Sequence, residues 1–175
     1  MRTVALVVVA VVASGLAPTA QAQVGWLGVA AGTSWTWNGD SSALVRADDA
    51  AVGVLMGVSL DKDALLRLRG VELPMGDVSG ARMRGLTVGV DYFFPGVVGE
   101  ALFSAGLGGY RLNLPEALRE DPDHGRWELG YYLGIGEWFA LSRRTRITIE
   151  VTWDRSRHDG SPAMLSALAG FVVAL

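Results

Sequence analysis

The stretch RTRITIEVTWD, residues 144–154, alternates apolar and polar side chains almost without a break. Successive side chains on a β-strand point to opposite faces, so this strand has one apolar face and one charged face. The apolar members are Ile147, Ile149, Val151 and Trp153. The polar members are Arg146, Thr148, Glu150, Thr152 and Asp154. A soluble protein would bury the apolar face, whereas a barrel embedded in lipid would turn it outward and line its interior with the charges.

The first residues have the composition of a secretory signal peptide. Arg2 precedes an unbroken apolar run over residues 4–13, and the sequence AQA at residues 20–22 supplies a small-x-small cleavage site. A membrane-anchoring helix is the alternative, but the apolar run falls short of the ~20 residues that a helical span needs. We therefore predict a cleaved signal peptide over residues 1–22, followed by one outer-membrane β-barrel domain over residues 23–175.

The composition excludes several classes of protein. Loss of Arg2 with the leader changes the net charge from −3 to −4, which does not favour a nucleic-acid partner. With no cysteine and two histidines, the chain has few ligands for a zinc or haem site, and we predict no cofactor. The mean hydropathy is +0.31. After the leader, however, no apolar stretch is long enough for a helical span, so the apolar residues are spread through alternating segments.

Eight alternating segments, each bounded by turn residues, predict eight strands. They are residues 24–38, 50–60, 64–72, 82–92, 99–112, 126–139, 145–154 and 164–175. Alternating Gly, Val, Thr and Trp favour strands over helices. Only LPEALRED, residues 114–121, has the composition of a helical turn.

The connections between these segments alternate in length. The long ones are residues 39–49, 73–81, 113–125 and 155–163, and the short ones are 61–63, 93–98 and 140–144. Antiparallel neighbours joined in this way place all long loops at one end and all short turns at the other. Outer-membrane barrels have this asymmetry, with short periplasmic turns and longer external loops.

The second face of the segments carries single charges among small residues. These charges are Arg67, Arg69, Arg126, Arg146, Asp91, Glu100, Glu128, Glu150 and Asp154. Charges withdrawn from water must be paired, so we expect three arginines to pair with three glutamates across the lumen. The arginines are Arg67, Arg69 and Arg146, and the glutamates are Glu100, Glu128 and Glu150. Glycines on the same faces would make room for large side chains in a narrow lumen.

The aromatic residues cluster at both ends of the segments. Next to the long loops are Trp35, Trp37, Trp127 and Trp153, and next to the short turns are Tyr92, Phe93, Phe94 and Phe139. Trp and Tyr favour membrane–water interfaces, and a transmembrane barrel carries an aromatic girdle at each interface. We assign to these girdles Trp35, Trp37, Tyr92, Trp127, Phe139 and Trp153.

Together these features resemble the small eight-stranded outer-membrane barrels of the OmpA/OmpX type, a porin-like family of the Gram-negative cell envelope. The resemblance is architectural and covers essentially all of residues 23–175. It implies an all-β, up-and-down antiparallel transmembrane barrel with an apolar outer face and a charged lumen. In that family the terminal strand, here residues 164–175, is recognised by the barrel-assembly machinery. That strand usually ends in Phe, whereas this one ends in Leu175 with Phe171 further in.

The resemblance and the residue pattern lead to one functional hypothesis. An eight-stranded barrel has an interior just filled by side chains, so we expect no wide pore. The predicted protein is a non-enzymatic, monomeric outer-membrane barrel that contacts lipid and lipopolysaccharide. Its four surface loops would carry a structural, adhesion or binding role. We expect no counterpart of the peptidoglycan-binding domain that OmpA-like proteins often carry.

Other functions stay open at this point. A soluble lipocalin-like carrier would turn the apolar faces inward around an apolar ligand, and a soluble sandwich would leave the charges on its surface. An outer-membrane lipid or peptide hydrolase needs a nucleophile, a base and an orienting group in reach of one another. The sequence DRSRHDGS, residues 154–161, offers His158 beside Ser156, Asp159 and Ser161. His124, in EDPDHG, is a candidate for a weak cation site with neighbouring carboxylates.

Overall fold

The protein was analysed as a computed structural model. The structure describes residues 25–37, 44–46, 50–75, 80–115, 125–157 and 163–175. The predicted signal peptide, both histidines and most of the predicted helical turn at 114–121 lie outside these residues. Within the described ranges, no helix is long and apolar enough to cross a membrane.

The described residues form eight long strands and one short one. The long strands are β1 (Gly25–Trp37), β3 (Ala51–Ser59), β4 (Ala64–Pro74), β5 (Arg82–Pro95), β6 (Glu100–Asn113), β7 (Trp127–Ala140), β8 (Thr145–Ser156) and β9 (Ala163–Ala174). Each covers most of one of the eight alternating segments. The short strand β2 (Leu44–Arg46) lies in the first long connection and pairs with the end of β1.

The sheet closes on itself. Each long strand pairs antiparallel with its neighbour in sequence, and β1 also pairs with β9, from Trp26 opposite Ala174 to Trp37 opposite Ala163. Closure removes the unpaired edge that an open sheet would expose. The eight-stranded antiparallel barrel predicted from the sequence is therefore confirmed.

The apolar faces of the strands point outward. Leu107, Ile135 and Ile149 are 64%, 62% and 50% exposed, although they lie at mid-strand. The polar neighbours of Ile149 along the chain, Thr148 and Glu150, are buried. A water-soluble barrel would reverse this arrangement, so the exposure pattern is that of a transmembrane barrel.

The strand boundaries differ from the sequence prediction at one short turn. β5 continues to Pro95, so the turn to β6 spans only residues 96–99 and is closed by the Gly96 amide donating to the Gly99 carbonyl. Continued alternation turns Phe93 inward, where its ring lies 4.9 Å from that of Trp138. Of the aromatic residues next to this turn, Phe93 therefore faces the lumen and not the outer surface.

Glycines on the inner face allow neighbouring strands and large lumen side chains to approach closely. A Cβ added at Gly89 would overlap the carbonyl oxygen of Ala105 and lie 2.5 Å from the hydroxyl of Tyr132. At Gly53, also on the inner face, the nearest atom would be 3.4 Å away, an ordinary contact. Alanine variants at the two sites therefore distinguish the cost of crowding from the effect of replacing a flexible residue.

Gly89→Ala should destabilise the barrel by about 1–3 kcal/mol, the usual cost of overpacking. Gly53→Ala should be neutral or stabilise by up to ~1 kcal/mol, because it restricts the unfolded chain equally but meets no obstruction. Urea unfolding in lipid vesicles measures both variants. Equal effects on the two would show that strand crowding does not explain the inner-face glycines.

Candidate functional site

The middle of the lumen holds two arginines of β4 that reach across to carboxylates of β8. The Arg67 guanidinium donates to both carboxylate oxygens of Glu150, at 2.7 and 2.8 Å. Its Nε lies 2.7 Å from Oδ2 of Asp91 on β5, an ion pair without a hydrogen bond. Thr148 donates its hydroxyl to Glu150 at 2.9 Å. All these side chains are buried, so each charge depends on these contacts.

Arg69 forms the second pair, one step nearer the long loops. It donates to the two oxygens of Asp154 at 2.6 and 3.1 Å and to the hydroxyl of Thr152 at 2.8 Å. The Tyr110 hydroxyl on β6 donates to Asp154 at 2.8 Å. The guanidinium also lies 4.7 Å from the ring centroid of Tyr132 on β7. Cation–π contact and paired hydrogen bonds together satisfy a charge that water does not reach.

These contacts join strands on opposite sides of the barrel. The network includes side chains from β4, β5, β6, β7 and β8, and Ser166 of β9 extends it through a 2.8 Å hydrogen bond with Thr152. Its buried ionisable groups are two guanidinium groups and three carboxylates. Because removal of one partner leaves a buried charge unpaired, such a network tolerates little change.

Apolar clusters close the lumen on both sides of this layer. At the short-turn end, the rings of Trp26 and Phe93 pack edge-on against Trp138, with centroids 5.4 and 4.9 Å away. The other members of that cluster are Leu55, Leu65, Leu102 and Val172. At the long-loop end, the buried cluster is rich in methionine and comprises Ala51, Val71, Leu73, Met75, Ala81, Met83, Tyr110, Met164 and Leu168.

Little free space remains between these layers. A cavity of about 20 Å³ lies beside Arg67 and Glu150. This volume is close to the minimum that one water molecule needs.

The predicted lumen charges do not all lie in this network. Five of them belong to it: Arg67, Arg69, Asp91, Glu150 and Asp154. Arg146 and Glu100 pair with each other at the exposed short-turn mouth, where the Arg146 guanidinium lies 5.4 Å from the ring centroid of Trp26.

Two sequence expectations about these charges were wrong. Arg126 is exposed and precedes β7, so it is not a lumen residue. The acidic partner of Arg69 is Asp154 rather than Glu128. Glu128 lies on β7 two residues before Gly130. Gly130 is the first residue of β7 that pairs with β8. The reach of a side chain across the lumen depends on the stagger of the strands, which the sequence pattern does not specify.

The six girdle residues lie on the outer surface, near the strand ends where the sequence placed them. Trp37 and Trp127 are about half exposed at the long-loop end, and Tyr92 is similarly exposed at the short-turn end. Trp153 packs against Tyr131 with ring centroids 5.5 Å apart. Trp35 and Phe139 are partly exposed on the same outer face.

Sequence reasoning gave no role to the neutral members of the network. Thr148, Thr152, Tyr110, Tyr132 and Ser166 are buried and either hydrogen-bonded to the ion pairs, directly or through Thr152, or packed against an arginine. The available signal was a tyrosine on the inward face that follows an inward glycine. It occurs twice, in the stretches Gly108-Gly109-Tyr110 and Gly130-Tyr131-Tyr132. A large polar ring among residues without side chains is expected to fill a lumen.

The candidate hydrolase and cation sites lie mostly outside the described residues. Ser156 is buried at the end of β8. His158, Asp159 and Ser161 lie outside the described residues. His124 also lies outside them. Across the described ranges, no group of three or more metal-ligating side chains is placed to hold an ion.

No protein-family model matches the sequence, and no curated protein matches it. Solved structures do match. Neisserial surface protein A is 10% identical, with a TM-score of 0.66 over 85% of this chain and 96% of that chain. The N-terminal barrel domain of Pseudomonas aeruginosa OprF is 16% identical, with a TM-score of 0.61 over 89% and 100%. Ail, the attachment invasion locus protein of Yersinia pestis, is 9% identical, with a TM-score of 0.54 over 89% and 100%.

The similarity spans nearly the full length of these barrels and of the described strands. At 9–16% identity it establishes a shared fold and nothing about shared residues or ligands. This chain has the fold of the small eight-stranded outer-membrane barrels.

Asp154→Ala should destabilise the barrel by about 3–5 kcal/mol, because it leaves the buried Arg69 without its acidic partner. Glu100→Ala removes the same type of ion pair at the exposed mouth and should cost no more than ~1 kcal/mol. Urea unfolding of the protein refolded into vesicles compares the two. The account fails if the mouth variant loses as much stability as the lumen variant.

Proposed function

We propose that this chain, which has the fold of small eight-stranded outer-membrane barrels, is a monomeric, non-enzymatic protein of the outer membrane. The predicted signal peptide over residues 1–22 would export it to the periplasm. Its lumen is closed, so its activity lies in structural support of the membrane or in binding through the four long loops.

The distribution of buried and exposed side chains carries this proposal. An apolar belt faces outward on every long strand, while the lumen holds arginine–carboxylate pairs. In water, exposure of the apolar belt would carry a large free-energy cost. The arrangement is therefore favourable only in lipid. The same arrangement argues against a lipocalin-like carrier, whose interior would have to be apolar and empty enough for a ligand.

A closed lumen also argues against a diffusion pore. The charged layer lies between two apolar clusters, and an ion crossing them would lose its hydration without gaining a partner. We therefore expect solute exclusion rather than selective conduction.

The loops are the surface left for a partner. Ail, named for attachment and invasion, has been crystallised with the heparin analogue sucrose octasulfate. A similar fold with long loops at one end makes an attachment or binding role reasonable for this chain too. Lipopolysaccharide would surround the loop end of the barrel.

Assembly would use the terminal strand. Residues 164–175 present apolar side chains outward at alternate positions, including Phe171, which is about half exposed. We propose that this strand is the segment recognised by the barrel-assembly machinery, with Phe171 substituting for the usual terminal Phe.

Fractionation followed by gel electrophoresis tests the membrane location. The protein should appear in the outer-membrane fraction, and its band should move between unboiled and boiled samples, because a closed barrel resists SDS until heated. Vesicles containing the protein should exclude small sugars that a wide-pore porin admits. An unshifted band in the soluble periplasmic fraction, or sugar entry at the porin's rate, would reject the proposal.

A further inference from the structure

The outer surface at the long-loop end of β4, β5 and β6 carries a group of polar side chains that we call the rim cluster. It consists of Glu72, Arg82, Arg84, Arg111 and Asn113. Strand alternation places all five on the outward face. They directly follow the apolar belt, since Leu86, the next outward residue after Arg84, is 51% exposed.

The rim cluster contains more positive than negative charge. Glu72 accepts one hydrogen bond on each oxygen, from Arg82 Nη1 at 2.5 Å and from Arg84 Nε at 2.7 Å. Among the side chains of the cluster, one carboxylate accompanies three guanidinium groups, and Arg82 has a further interaction besides the one with Glu72. Both oxygens of Glu72 are already engaged by the guanidinium groups of β5.

Two features of Arg111 and Asn113 indicate a missing acceptor. Arg111 lies directly opposite Arg84 in the β5–β6 ladder, and like charges in that position repel. Arg111 Nε and Asn113 Nδ2 are both buried and find no hydrogen-bond partner among the described residues. Buried donors without acceptors are costly. An anion between the two arginines would relieve the repulsion and satisfy both donors.

The depth of the cluster indicates where such an anion comes from. Trp127 lies directly opposite Arg111 on β7 and is 45% exposed on the outer surface. An outward-facing tryptophan next to the apolar belt is typical of the membrane–water interface, where lipid headgroups lie. The cluster therefore lies at headgroup depth, directly above residues that contact acyl chains.

We propose that the rim cluster binds the phosphate group of an anionic lipid in the leaflet at the long-loop end. The inference rests on the proposed membrane location. Arg84 and Arg111 would hold the phosphate through paired N–H groups, a geometry for which guanidinium is well suited. Asn113 would donate a further hydrogen bond, and the acyl chains would lie along Leu86 and the outer face of β6.

The test uses the full-length mature barrel refolded in neutral detergent, with bound lipids counted by native mass spectrometry. Phosphatidic acid, which exposes a phosphate monoester, should bind more tightly than phosphatidylcholine, whose phosphate is masked. The double variant R84Q/R111Q should bind phosphatidic acid about tenfold more weakly, since it loses charge-assisted hydrogen bonds. Glu72→Gln should bind it more tightly, because it releases the Arg84 guanidinium to the lipid.

R143Q/R144Q is the matched control, because it removes two exposed arginines from the opposite, short-turn end. It should leave phosphatidic acid binding unchanged. An equal loss in the control, or no loss in R84Q/R111Q, would overturn the site. Inorganic phosphate that competes as effectively as the lipid would assign the site to a soluble anion instead. Every variant must keep its heat-dependent gel shift, and loss of that shift in the unmodified protein would reject the membrane barrel itself.

Discussion

The pairing of the first strand with the last is the constraint on which the rest of the structure depends. Twelve residues of β1, Trp26 to Trp37, lie opposite β9 and complete the ring of antiparallel ladders. In a lipid bilayer no water is present to satisfy a free strand edge, so only a closed sheet can span it. Closure then divides the side chains of every strand into two environments, lipid outside and a narrow lumen inside.

Closure of the sheet places polar side chains inside a narrow lumen, where they must be packed and paired. Inward polar groups are withdrawn from bulk water and are costly unless they find partners. Arg67 and Arg69 obtain theirs from Glu150 and Asp154 of β8, across the lumen, and Arg67 is also paired with Asp91 of the neighbouring strand β5. Cross-lumen pairs therefore add contacts between distant strands that the ladders alone do not provide. Apolar clusters lie above and below this layer, and a low local dielectric strengthens each ion pair.

The sequence predicted the strands and their faces well, because alternation is a local property. In β8, Ile149 and Glu150 lie on the faces predicted from RTRITIEVTWD. The pairing of side chains across the lumen could not be predicted in the same way, because it depends on the stagger of the strands. Glu150 does meet an arginine, but the assignment of Glu128 to an arginine of the lumen was not correct. Phe93 lies inward although it is next to a short turn, because it follows the outward Tyr92 in a strand that continues to Pro95.

The most direct test of the central claim asks what surrounds the outward face. The chain contains no cysteine, so single spin labels can be introduced at Ile135→Cys and Ile149→Cys on the belt, and at Val97→Cys on a short turn. In vesicles, collisions with oxygen should be frequent and collisions with a water-soluble nickel complex rare at the two belt positions, with the reverse at position 97. Equal access of the nickel complex to all three positions would show that the apolar faces do not contact lipid.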